Sequence, residues 1–244
     1  MPAHYGLIGF PLTHSFSPKW FAEKFAAEGI DATYKAYPLE LIESISDLLA
    51  NYPLRGLNVT IPYKEQVLGY LNELDEAAEA IGAVNCIDIR HGIKKGYNTD
   101  VTGFEQSLAP LLQAHHTRAL VLGTGGAAKA VHYVLEKLGL TYRTVSRHQS
   151  EGVITYDELT EELIASHPLI INTTPLGMAP HTDEAPAIPY HALTEKHLLY
   201  DLIYNPDETK FLALGKQQGA TIKNGHEMLV RQAEASWEIW KILT

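Results

Sequence analysis

Along this chain short apolar runs alternate with longer stretches whose apolar residues recur every three or four positions, the pattern of strands separated by helices. Tyr5–Gly9 reads as a strand, Pro18–Glu28 as a helix closed by Gly29, and Thr33–Tyr37 as a second strand. A helix over about Leu39–Asn51 precedes the strand Gly56–Ile61 and helical text at Lys64–Leu71 and Asp75–Ile81. Ala83–Ile89 and Lys94–Tyr97 flank His91-Gly92 and predict a hairpin.

From Val101 the alternation is cleaner: a helix to Gln113, a strand Ala119–Leu122, a glycine turn, a helix to Gly139 and a strand Tyr142–Val145. Further strands are predicted at Leu169–Asn172, Leu198–Asp201 and Ala220–Ile222, and a long helix at Glu227–Leu243. Strands of near-continuous Val, Ile and Leu separated by helices indicate a parallel sheet covered on both faces. The expected fold is α/β in two domains. Residues 1–100 plus 222–244 form an α/β substrate-binding domain, and residues 101–221 a Rossmann-like, doubly wound dinucleotide-binding domain, with the C-terminal helix returning to the first.

Composition narrows the function classes. The 244 residues are 45% hydrophobic and 20% charged, which excludes a disordered or fibrous chain. With 19 Lys and Arg against 29 Asp and Glu, the net charge of −10 repels phosphate backbones, so neither nucleic acid nor an anionic membrane is an expected partner. Cys86, the single cysteine, has no disulfide partner in the chain, and no paired Cys/His spacing suggests a metal. No apolar run approaches the roughly 18 residues of a membrane span, and the N-terminus lacks a basic segment before an apolar one. A cytoplasmic protein, monomeric or homodimeric, acting on a small molecule is the working class.

Gly123-Thr124-Gly125-Gly126-Ala127-Ala128 follows a strand and opens a helix. Glycines there let backbone approach a pyrophosphate while amides at the helix start point at its charge. At the end of the next strand, where an NAD site places a carboxylate for the ribose, this chain has Ser146-Arg147-His148. Arg147 suits a 2′-phosphate, which favours NADP; a solvated arginine is the alternative.

Three segments of the first domain carry candidate chemistry. Ser17 suits an N-cap, Pro18 the first helical position, and Phe16 with Phe21 a hydrophobic staple, which leaves Ser15 as a hydroxyl for a small carboxylate. Asn58 and Thr60 share a strand face, and Pro62 predicts a helix start that puts Lys64 in the first turn, against the positive end of the dipole. Such a conflict, worth about 0.3–1 kcal/mol, hints at function. Asp100 stands at the domain boundary, where it either caps the following helix or pairs with Lys64 for the proton transfer that accompanies hydride transfer.

Taken together these segments resemble shikimate dehydrogenases, from Gly9 to Gln232. The resemblance is carried by His14-Ser15-Phe16-Ser17-Pro18, by Gly56-Leu57-Asn58-Val59-Thr60-Ile61-Pro62-Tyr63-Lys64, and by Gly82-Ala83-Val84-Asn85. It continues through Asn98-Thr99-Asp100, the glycine turn, Asn172-Thr173-Thr174-Pro175-Leu176-Gly177-Met178, Asp201-Leu202-Ile203-Tyr204-Asn205-Pro206 and the run Gly225 to Gln232. It implies NADP-dependent, reversible reduction of 3-dehydroshikimate to shikimate in the making of aromatic amino acids. By the same resemblance Ser15 and Ser17 hold the substrate carboxylate with Tyr204 nearby, and Asn58, Thr60, Asn85 and Gln232 bind ring hydroxyls. Lys64 and Asp100 become the catalytic pair. Gly123, Gly125, Gly126 and Ala127 receive the pyrophosphate, Ser146 and Arg147 the adenosine phosphate, while Thr173, Met178 and Gly225 lie along the nicotinamide. The family usually has an Asn-Arg-Thr run where Ser146-Arg147-His148 stands here. A quinate/shikimate dehydrogenase using NAD or NADP, and a sensor of dinucleotide or metabolite without turnover, are the competing readings; retention of both Lys64 and Asp100 argues against the sensor.

Overall fold

The computed structural model describes residues 2–13 and 15–241, so His14 of the first motif and the end of the helix expected to reach Leu243 lie outside the described residues. The chain divides into two compact units, residues 1–102 with 232–244, and residues 103–231.

In the first unit, β1 (Ala3–Gly9), α1 (Phe16–Glu28), β2 (Ala32–Pro38), α2 (Ile45–Asn51) and β3 (Leu54–Val59) follow the sequence pattern. Then come β4 (Glu73–Leu74), α3 (Glu76–Ile81), the hairpin β5 (Cys86–Arg90) and β6 (Ile93–Tyr97), and the start of α4 (Thr99–Leu108), which belongs to the second unit from Gly103 on. The strands form one sheet in the order β2-β1-β3-β5-β6-β4. It is mixed rather than wholly parallel, because β5 pairs antiparallel with both β3 and β6. His91 at φ 50° and Gly92 at φ 80° make the two-residue turn, with the positive φ at both central positions that suits the twist of a hairpin.

Burial of alternate residues on both faces holds this sheet. Tyr5 and Leu7 pack into a cluster with Phe21, Phe25, Trp237 and Trp240. Ile8, Leu57 and Val59 pack into another with Ile45 and Val67. Local signals end the helices as their chemistry dictates: Asp75 accepts from the Ala78 amide at the start of α3, and Gly82 closes it at φ 68°.

Two local expectations are corrected. The N-cap of α1 is Ser15, two residues before Ser17, and its side chain makes no capping bond. Pro18 is therefore inside the first turn, and Phe16, itself the first helical residue rather than a residue before the cap, stacks on Trp20. Residues 61–65 form turns followed by a short 3-10 helix at Gln66–Tyr70, not an α-helix starting at Pro62. Lys64 consequently opposes no helix dipole, and that argument for its importance falls away.

The second unit continues with β7 (Arg118–Leu122), α5 (Gly126–Lys137), β8 (Thr141–Ser146), β9 (Val153–Thr155), α6 (Glu161–Ser166) and β10 (Leu169–Asn172). β11 (Leu198–Asp201), α7 (Lys210–Gln217), β12 (Thr221–Lys223) and α8 (His226–Lys241) complete the chain. Its sheet runs β12-β11-β10-β7-β8-β9, and every pairing between these strands is parallel. Ala119, Leu120, Val121 and Leu122 are all 0% exposed, so both faces are buried as the apolar run requires. The return to the first unit falls at Gln232, later than residue 222, because Thr221–Lys223 is the edge strand of this second sheet.

Within the first unit α8 contributes Trp240, which donates from its indole nitrogen to the Ile87 carbonyl at 3.0 Å and stacks on Tyr5 with centroids 4.8 Å apart. This packing explains Gly56, since a Cβ there would lie 2.3 Å from the Trp240 indole nitrogen.

Candidate active site

A single hydrogen-bonded network in the first unit joins most of the residues that the sequence singled out. Lys64 is carried by a turn whose neighbour Tyr63 is 3% exposed, and the Tyr63 hydroxyl donates to the Leu39 carbonyl at 2.6 Å. The Lys64 carbonyl accepts from the Val84 amide at 2.8 Å, which fixes the backbone beside the Gly82–Asn85 segment. From there Lys64 Nζ meets Asp100 Oδ2 at 2.6 Å, with the lysine side chain 26% and the aspartate 15% exposed. An ion pair at this depth keeps its groups within reach of solvent while shielding them enough to hold one geometry.

Asp100 is free to make this bond because another residue caps its helix. The Asn85 side-chain oxygen accepts from the Thr99 amide at 2.6 Å and from the Thr99 hydroxyl at 3.1 Å, and these two donors fill it. The orientation so imposed sends Asn85 Nδ2 to Asp100 Oδ1 at 2.9 Å. Asp100 thus receives the ammonium on one oxygen and the carboxamide on the other. Among the described residues, one N–H of Asn85 and two of Lys64 carry no bond.

Asn58 is anchored on both sides. Its Nδ2 donates to the Asn85 carbonyl at 3.1 Å and to Ser236 Oγ at 2.9 Å, and its Oδ1 accepts from the Tyr34 hydroxyl at 2.8 Å. Both N–H groups are used within the protein, so Asn58, 3% exposed, can meet a ring hydroxyl only as an acceptor, through the second lone pair of its Oδ1. Tyr34 extends the network to the Ser17 hydroxyl, and burial raises its own phenol well above the ordinary range. Ser236 ties in α8, lying 3.2 Å from the Thr99 hydroxyl and donating to the Gln232 carbonyl at 3.0 Å. Gln232 is 8% exposed. Tyr34 and Ser236 escaped the sequence reading; each acts through partners distant in the chain, which no local motif could reveal.

The second unit holds a separate pocket of about 260 Å³ at the C-terminal ends of β7, β8 and β10. Its walls include the Gly123–Gly125 turn, Ser146-Arg147 and the Thr173–Leu176 loop, as expected, together with Tyr156, which the sequence did not suggest. Gly123 at φ 114° is required by the close approach of Thr173, whose hydroxyl donates to the Leu122 carbonyl at 2.7 Å. Gly125 and Gly126 have no neighbour within 4 Å of a Cβ and no positive φ, so neither the backbone nor packing explains them. Side-chain-free backbone at the start of α5 is what a diphosphate needs in order to lie against its amides. Arg147 is exposed and makes no ion pair among the described residues, so a cation is available to an anionic ligand.

Three further sites stand apart from this pocket's lining. Met178 is exposed at the end of its loop, and Tyr204 is 38% exposed in the segment after β11. Gly225 is explained by packing: a Cβ there would lie 2.0 Å from the Leu202 carbonyl oxygen.

The family model described as the shikimate dehydrogenase substrate-binding domain matches residues 7–87. A shikimate dehydrogenase (NADP(+)) of Carboxydothermus hydrogenoformans is 39% identical over 255 residues, covering 96% of this chain and 90% of its own. The chain belongs to the shikimate dehydrogenase family. Solved structures agree with this membership over the full length. The chorismate mutase/shikimate 5-dehydrogenase fusion protein of Clostridium acetobutylicum superimposes with a TM-score of 0.90 at 36% identity, covering 100% of this chain and 93% of that one. The shikimate dehydrogenase of Thermus thermophilus, solved in complex with NADP(H) and shikimate, gives 0.87 at 29% identity, covering 99% and 94%. Among the described residues no helix is long and apolar enough to cross a membrane, and no cluster of three or more metal-ligating side chains occurs.

Proposed function

We propose that this protein catalyses the NADP-dependent, reversible reduction of 3-dehydroshikimate to shikimate, the reaction of its family in aromatic amino-acid biosynthesis. The observation that carries the reading is the Lys64–Asp100 pair at 2.6 Å, held by Asn85 in a semi-exposed position. Reduction of a ketone needs a hydride on carbon and a proton on oxygen. NADPH, when bound, supplies the hydride. Lys64 delivers the proton to the carbonyl oxygen and recovers it in the reverse direction, while Asp100 aims the ammonium and accepts from a neighbouring ring hydroxyl.

Ser15, whose hydroxyl makes no capping bond, and Ser17 take the substrate carboxylate, with Tyr204 assisting. Asn58, Thr60, Asn85 and Gln232 bind hydroxyls, Asn58 through its Oδ1 while its Nδ2 holds the Asn85 backbone in place. In the second unit Gly123, Gly125, Gly126 and Ala127 take the pyrophosphate, while Ser146 and Arg147 take the 2′-phosphate. Thr173, Met178 and Gly225 line the nicotinamide side. Arg147 supports NADPH over NADH, since among the described residues no carboxylate is bonded to it and it is therefore open to a phosphate. The cytoplasm is the compartment proposed.

The test is the fall in absorbance at 340 nm with purified protein, 3-dehydroshikimate and either NADPH or NADH, run in reverse with shikimate and with quinate. Rapid, NADPH-preferring turnover with shikimate favoured over quinate is the expected result. Turnover only with quinate, or none with any pair, overturns the reading.

A further inference from the structure

β10 and β11 end side by side, with Asn172 in register with Asp201 as the last residues of adjacent parallel strands. Both are 0% exposed. Asn172 Nδ2 donates to Asp201 Oδ1 at 3.0 Å, an oxygen that also accepts from the Ile203 amide at 3.1 Å. The other carboxylate oxygen accepts from the Thr209 hydroxyl at 2.6 Å. On the far side of Asn172, its Oδ1 accepts from the Thr174 amide at 3.0 Å and from the Thr174 hydroxyl at 2.6 Å. The Thr174 hydroxyl in turn accepts from the Leu176 amide at 3.3 Å.

This chain of bonds is unusual for a core. A fully buried carboxylate is costly, and here no cation is bonded to it among the described residues; three neutral donors hold it instead. Burial pushes its carboxyl up to about 6. An apolar pair at these two strand ends would be the cheaper way to fill the space, and it would leave both following loops without anchors. Those loops are functional: Thr173–Leu176 walls the pocket, and Ile203 adjoins Tyr204. A carboxylate can accept from both sides at once, whereas an asparagine at 201 would turn an N–H₂ toward one of the donors.

We propose that Asp201, acting through Asn172, is a positioning residue for nucleotide binding: it fixes Thr174, and with it the Thr173–Leu176 wall, without touching the nucleotide. The inference rests on the reading of that pocket as the NADPH site. Thr174 and Leu176 belong both to this chain of bonds and to the pocket's lining, so loosening the clamp raises the Kd and KM for NADPH while leaving kcat at saturating nucleotide nearly intact.

The experiment titrates full-length protein with NADPH by calorimetry and measures steady-state kinetics for the wild type, Asp201→Asn, Thr174→Val, Thr174→Ser and the double variant Asp201→Asn/Thr174→Val. Expected are a roughly ten-fold rise in NADPH Kd and KM for Asp201→Asn and for Thr174→Val, the loss of about one hydrogen-bonded anchor. Thr174→Ser, which keeps the hydroxyl, restores the wild-type value, and the double variant is no weaker than the single ones, because both break the same chain of bonds. Folded variants with lowered melting temperature and wild-type Kd would show a stability role alone and overturn the proposal. Should Asp201→Asn fail to fold, Thr209→Val takes its place, since it removes the donor to Asp201 Oδ2 and lies outside the pocket's lining; a wild-type NADPH Kd in that folded variant overturns the proposal. A wild-type protein that turns over without binding NADPH in this titration would instead overturn the assignment of the pocket, and the proposal with it.

Discussion

The Lys64–Asp100 pair makes a quantitative demand on kinetics. Proton transfer by a positioned side chain contributes about 10²–10⁴ in rate, so Lys64→Ala should lower kcat by about 10³, or about 4 kcal/mol of transition-state stabilisation. KM for 3-dehydroshikimate should move far less, because the proton passes mainly in the transition state. Asp100→Asn removes the carboxylate that aims the ammonium at 2.6 Å, yet its amide still fits against Asn85, so the helix and its cap stay in place. Its loss in kcat should be of the same order. If the two side chains act as one unit, the double variant falls by about 10³ rather than by the 10⁶ that independent contributions would give. The assay is nucleotide oxidation at 340 nm under saturating NADPH, with circular dichroism on each variant. Stability should change by only about 1 kcal/mol, since both groups are partly exposed and their pairing is screened by solvent. A multiplicative double variant, or a Lys64→Ala enzyme with unchanged kcat, would refute the pairing.

Three other outcomes are expected. Arg147→Ala should weaken NADPH binding by about ten-fold with little effect on NADH, read as the ratio of the two KM values; equal losses would remove the phosphate contact. Asp201 has a folded carboxyl pushed up to about 6 from 3.8, so the folded state binds the proton more readily. Its contribution therefore favours folding below about pH 4 and is lost as pH rises through about 6, a change of about 3 kcal/mol at most. Asp201→Asn should flatten that part of the stability profile in urea unfolding between those pH values. Gly56→Ala drives a methyl into the Trp240 indole and should cost about 1–3 kcal/mol in the same assay, with an altered tryptophan fluorescence; an unchanged midpoint would contradict the packing.

The β/α alternation, the hairpin at His91-Gly92 and the glycine turn were legible because each rests on periodicity or on a φ requirement that a few consecutive residues express. The α1 cap was displaced by two residues, since Ser15 and Ser17 offer the same local chemistry and the packing of Phe21 and Trp20 sets the register. Pro62 suggested a helix start, yet Tyr63 inserts into the core and bonds Leu39, which dictates a series of turns instead. Asn58 and Asn85 looked alike as polar residues beside a strand end. Only the long-range partners Tyr34, Thr99 and Ser236 distinguish the amide whose two N–H groups are both engaged from the one with an N–H to spare. Tyr156 reaches the pocket from a segment with no motif at all.

The division of the first unit between residues 1–102 and 232–244 has a consequence for synthesis on the ribosome. Tyr5, Leu7, Phe21 and Phe25 leave the exit tunnel early, but their partners Ala233, Trp237 and Trp240 emerge only after the whole second unit. The second unit can complete its sheet first, inverting the usual N-to-C order in which domains mature during translation. Until α8 arrives, the Tyr5 and Leu7 face of the nascent first sheet has α1 but not the two tryptophans to cover it, and Ser236 is not there to join Asn58 to Thr99. A chain released before that helix would carry Lys64 and Asp100 yet expose a surface for chaperones to hold. The hydrogen-bonded network around Lys64 and Asp100 is therefore complete only once α8 has been made.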